Sequence, residues 1–140
     1  KLEQLSEYKL RHGEAVAIGI ALDVVYSKRM GFIDGPTSDR ILGLLDQLGF
    51  ELFANELRHV NSTGTLLVLE GLEEFREHLG GELTITLLKA IGQGFEVHDM
   101  KVPLVIESIQ ELEKRSRRGP FEQTDTLSDH AASSTLSEKI

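Results

Sequence analysis

The chain has 140 residues and a formal charge of −8, from 15 Lys plus Arg against 23 Asp plus Glu. That sign excludes the basic surface by which nucleic-acid binders are recognised. With 40% apolar and 27% charged residues it has the composition of a soluble globular domain, and the absence of cysteine excludes disulfides, thiolate metal sites and cysteine nucleophiles. Nothing points to an oxidising compartment, and the expectation is a cytoplasmic protein.

The first residues, KLEQLSEYKLRHGEAV, contain neither an initiating Met nor an apolar signal region. Leu2 and Leu5 already stand at helical spacing, which predicts that the chain is a C-terminal piece of something longer. Residues 12–31 read HGEAVAIGIALDVVYSKRMG, with Asp23 the only charge between Ala15 and Val25. A helix apolar nearly all round is a buried one. Glu14, Asp23, Lys28 and Arg29 interrupt the run too early for a membrane span, which needs roughly 20 apolar residues.

Gly31 is expected to end this helix, and Asp34-Gly35-Pro36 to turn the chain. Thr37 or Ser38 is the expected cap of the next helix, in which Ile41, Leu44, Leu45 and Leu48 form one stripe until Gly49. A short helical stretch over 53–59 follows. The break at Asn61-Ser62-Thr63-Gly64 precedes a helix over 65–78 that carries Leu66, Leu69, Leu72 and Phe75 and ends at Gly80-Gly81.

From Leu83 the alternation of Leu83, Ile85 and Leu87 with Thr84 and Thr86 is the period of a strand. Gly92-Gln93-Gly94 is the expected turn and 95–98 the returning strand. Pro103 opens a last helix through Leu104, Val105, Ile109 and Leu112, whose Lys114, Arg115, Arg117 and Arg118 suit a helix C-terminus. Residues 119–140 hold seven Ser or Thr and no periodic apolar pattern, and are expected to be a disordered acidic tail. The fold class is therefore mainly α: about five helices and one small β-hairpin over 1–118.

Among five histidines, His12, His59, His78, His98 and His130, the one that opens the buried helix is the most informative. Beside Gly13, its ring can stand at the edge of the core with room for an ion or substrate. Spacing alone favours a helix-initiating histidine bonded to a nearby carbonyl, since no HExxH or other close pair accompanies it. Any metal site must combine imidazole and carboxylate. Arg76, Glu77 and His78, at a helix end running into two glycines, can approach a ligand, with Arg76 suited to a phosphate. By composition the same segment is a solvated helix face. Glu96 and His98 share one side of the second strand and fit a polar face as well as an ion site.

LRHGEAVAIGIALD, residues 10–23, resembles the 3-dehydroquinate synthase superfamily of sugar phosphate cyclases, whose C-terminal helical domain carries LxHGEAVAxGM before a long buried helix. GELTITLLKAIGQGFEV is similar to the hairpin of the same superfamily, so the resemblance spans about residues 1–113. It implies a full-length enzyme that binds NAD and a divalent metal, zinc before cobalt, between an upstream dinucleotide-binding domain and this helical domain. It also implies that His12 is one of three protein ligands to the metal, with a Glu and a His upstream, and that this piece alone is inactive. The implied lyase reaction oxidises a hydroxyl of a sugar phosphate, eliminates phosphate, returns the hydride and closes a carbocycle. A homodimer with a sugar phosphate substrate, and no nucleic-acid or membrane partner, completes the implication.

Dehydroquinate synthases carry an acidic-Lys-Lys segment where this chain has Phe75, Arg76, Glu77 and His78. EFREHLGGELTITLL resembles instead the 2-epi-5-epi-valiolone synthase branch, which implies an uncharged heptulose phosphate bound through Arg76, Glu77 and His78. Three alternatives stand beside it: a true 3-dehydroquinate synthase of the shikimate pathway, a metal-dependent alcohol or glycerol dehydrogenase relative, and a non-catalytic helical interaction module.

Overall fold

A computed structural model describes residues 1–78 and 80–118. In chain order it has α1 (Leu2–Leu5), α2 (His12–Arg29), α3 (Gly35–Gln47), a 3-10 turn (Asn55–Arg58), α4 (Leu67–His78), β1 (Ile85–Ala90), β2 (Gln93–Val97) and α5 (Val102–Arg118). The expected class, mainly α with one hairpin, is the observed one. The tail expected over 119–140, including His130, lies outside the described residues.

The long apolar helix is the spine, and its pattern follows from having core on two sides. Ala21, Val24 and Val25 pack with Ile33, Leu42, Leu52 and Leu112, while Ile18 and Tyr26 pack with Leu57, Leu87, Val105 and Ile109. A helix between two clusters needs apolar residues on more than one face. The burial is not complete, however: Val16 and Ile20 are 44% and 43% exposed. The helix closes as a Schellman motif. Gly31, at φ 79°, donates to the Lys28 carbonyl and Phe32 donates to that of Ser27.

Asp34 caps α3, its Oδ1 accepting from the Thr37 N–H at 2.8 Å, and Pro36 occupies the first turn. Neither Thr37 nor Ser38 is the cap, because the helix begins at Gly35: a proline in the first turn lacks only an N–H that has no helical acceptor. Ser38 is instead fully buried, and its hydroxyl has no hydrogen-bond partner among the described residues. Two helices are stitched by charge, Lys28 to Glu111 at 2.7 Å and Arg29 to Glu107 and Glu111 at 3.1 Å each, which join α2 to α5.

The hairpin pairs Ile85 with Val97, Thr86 with Glu96 and Leu87 with Phe95, and Leu87 is buried under α2 as the alternation predicts. Its turn is tighter than expected. Gln93 pairs with Ala90 and Gly94 with Leu88, so only Ile91 and Gly92 turn the chain, with Gly92 at φ 78°. A side chain at Gly94 would meet Thr86 Cγ2 at 3.2 Å, which accounts for a second glycine inside the strand. β2 ends at Val97, and His98 turns back to the segment before β1: its Nδ1 lies 2.9 Å from the Leu83 carbonyl and 3.4 Å from Glu82. The pairing of His98 with Glu96 read from strand alternation gives way to that contact. Among the described residues no helix is long and apolar enough to cross a membrane.

Candidate functional site

His12 is the first residue of α2, and Glu14 reaches back to accept from the Arg11 N–H at 2.8 Å, which closes the helix start. With that end satisfied by Glu14, the imidazole is released outward. Its side chain is 79% exposed, and Nδ1 lies 3.4 Å from Glu3 Oε1 on α1. His12 does open the helix, as spacing alone favoured, but among the described residues its ring faces the Glu3 carboxylate and not a nearby carbonyl.

Glu3 also lines an open cleft of about 280 Å³ between α1 and α2, with Lys1, Ala15, Val16 and Val68 among its walls. Lys1 extends over α4: its Nζ bonds Glu74 Oε1 at 2.8 Å, and its stem lies where a side chain on Gly71 would be, 3.0 Å from that position. This bond holds the Glu74 carboxyl below the usual carboxylate range. One turn further on, Arg76 pairs with Glu73, which holds the guanidinium charged, and Glu77 adds to that effect from nearby. Arg76, Glu77 and His78 are all exposed.

The two expected groups therefore flank α1, His12 against Glu3 and the Arg76 segment beyond Glu74. The structure does not bring them into contact. Lys1 and Glu3 escaped the sequence reading because they matter only through the fold of α1 against α2 and α4. Asp23 was visible as the one charge inside an apolar run, and burial pushes its carboxyl up to about 7.

The donor set is suited to a hard or borderline metal, but it is partial. Among the described residues no group of three His, Asp or Glu side chains is placed to hold an ion. His12 can offer one nitrogen while a carboxylate faces the other, the arrangement by which metal-ligating imidazoles are commonly oriented.

The fold and the HGEAVAIG helix define the C-terminal helical domain of a dehydroquinate synthase-like protein, and the family model described as 3-dehydroquinate synthase C-terminal matches residues 1–69. The chain belongs to the 3-dehydroquinate synthase superfamily. It is 38% identical over 115 residues to the 3-dehydroquinate synthase of Chlorobium chlorochromatii, covering 79% of this chain and 31% of that one. It is 33% identical over 111 residues to that of Chlorobium luteolum, 76% of this chain and 30% of the relative. It is 32% identical over 95 residues to that of Clostridium perfringens strain 13, 67% and 25%. The chain thus spans about a third of the length of these relatives or less.

Proposed function

We propose that the full-length protein is a sugar phosphate cyclase, a phosphate-eliminating lyase that converts a heptulose phosphate into a carbocycle with NAD and a divalent metal. The observation that carries this reading is His12, an exposed imidazole at the head of the HGEAVAIG helix with Glu3 facing its Nδ1. His12 supplies one metal ligand and the remaining ligands come from outside the described residues. When bound, the metal polarises substrate oxygens as a Lewis acid and NAD takes and returns a hydride. Zinc suits a site of mixed imidazole and carboxylate, with cobalt as the alternative.

In this reading Arg76, Glu77 and His78 face the substrate. With Arg76 neutralised by Glu73 and Glu77 beside it, the segment offers hydrogen-bonding groups and little net positive charge. That favours an uncharged sugar backbone, as in a 2-epi-5-epi-valiolone synthase, over a carboxylated heptulosonate. The opposite reading, a true 3-dehydroquinate synthase, is favoured by the name that the relatives share. Phosphate release by the full-length, zinc- and NAD-loaded protein decides between them. Release from sedoheptulose 7-phosphate alone supports the first, release from 3-deoxy-arabino-heptulosonate 7-phosphate alone supports the second, and release from neither overturns the cyclase reading. The same proposal includes a cytoplasmic homodimer, which cell fractionation and the solution mass of the full-length protein test.

A further inference from the structure

We infer that the side of α2 carrying Val16 and Ile20 is an internal interface of the full-length protein, covered by the part of the same polypeptide that precedes these 140 residues. Val16 and Ile20 stand four residues apart, which places them together on one side of the helix, and each is nearly half exposed. Ala17, Ile18, Ala21, Val24 and Val25 of the same helix are buried in the two core clusters. From Ala15 to Leu22 there is no polar side chain at all, so the side facing solvent is as apolar as the sides facing the core. A surface helix carries polar residues on that side, and one that does not is built to be covered there as well.

The bare surface extends beyond the helix. Val16 is also a wall of the open cleft between α1 and α2, where Leu2, Leu22, Leu57 and Val68 line the space beside it. At the other end of the same side, four residues before Val16, stands the exposed imidazole of His12.

Two observations name the occupant. The matching family model is that of a C-terminal domain, and the chain covers 31% and 30% of two relatives, so most of such a polypeptide lies before it. His12 also needs ligands from outside the described residues, and a body that brings them to its ring lies over the next turn, at Val16. That second argument rests on the proposed function; the first does not. A second copy is the poorer occupant. Two aliphatic side chains and a cleft offer little towards the roughly 1,200–2,000 Å² that a stable interface between separate chains buries. A segment of the same polypeptide needs far less, because the connection itself holds it at high effective concentration.

Maleimide labelling of Val16→Cys and Ile20→Cys tests this in the full-length protein, in a background freed of other cysteines. Labelling is expected to be roughly a hundredfold slower in the folded protein than in the guanidinium-unfolded one. It is expected to stay slow when the protein is diluted to monomer and when residues 119–140 are removed. Either variant gives the answer should the other fail to fold. A folded rate within about tenfold of the unfolded one shows an open face and overturns the proposal. A rate that rises on dilution assigns the face to a second copy, and one that rises on removing 119–140 assigns it to the tail; both overturn it. Slow labelling in a protein that releases phosphate from neither heptulose phosphate leaves the covered face standing and removes only its link to His12.

Discussion

Glu3 Oε1 and His12 Nδ1 stand 3.4 Å apart, joining the single turn of α1 to the head of the longest helix. With one ring nitrogen facing a carboxylate, the other is the one that the proposed metal site would use. In the full-length protein His12→Ala is expected to abolish stoichiometric metal, and Glu3→Ala to weaken it roughly tenfold through ring orientation. Metal content after dialysis and chelator competition measure the two; an unchanged metal content in His12→Ala removes His12 from the ligand set.

Ser38 and Asp34 respond in opposite ways. Ser38→Ala removes a buried hydroxyl that has no partner, and is expected to stabilise the protein by about 1 kcal/mol in urea titrations. Asp34→Ala destabilises it by removing the cap of α3. The Thr37 bonds hold the Asp34 carboxyl below its ordinary 3.8, so its contribution is complete above that pH and lost as pH falls through the depressed value. Asp34→Asn should therefore lose this acid-side dependence while keeping much of the cap. A destabilised Ser38→Ala would show that the hydroxyl has found an acceptor.

Tyr26 ties the spine to the start of α5. Tyr26→Phe leaves the Lys101 N–H without its acceptor and is expected to cost about 1 kcal/mol. Leu112→Ala, in the other cluster, is expected to cost about 2–5 kcal/mol by cavity formation. Denaturant midpoints at constant slope measure both, and a smaller loss for Leu112 than for Tyr26 contradicts this account of the core.

Gly19 lies within α2, and a side chain there would meet nothing within 4 Å; the same holds for Gly43 in α3. Replacing either with Ala is expected to add about 0.5–1 kcal/mol from helix propensity alone. A loss of stability at Gly19 in the full-length protein would place another surface against that face.

Much of the fold was legible because periodicity records burial. The apolar run of α2, the stripe of α4 and the alternation around Leu87 each named an element, and Gly31, Gly49 and Gly80 named their ends. Errors fell where one local signal competed with another. Asp34, Thr37 and Ser38 are all capable caps, and Pro36 decides among them only once the helix is seen to start at Gly35. Gly92 and Gly94 both suit a turn, yet Gly94 pairs with Leu88 inside the strand, where a side chain would crowd Thr86.

The sequence by itself determined the helices and hairpin, the likeness of HGEAVAIG to a known motif, and the choice of His12 among five histidines. Tertiary structure alone decided that His12 faces Glu3, that Lys1 bridges to Glu74, and that Asp23 lies in an apolar cavity under α4. Local patterns arise from neighbours along the chain. A carboxylate's partner, or its lack of one, depends on segments up to 83 residues apart, and no periodicity carries that information.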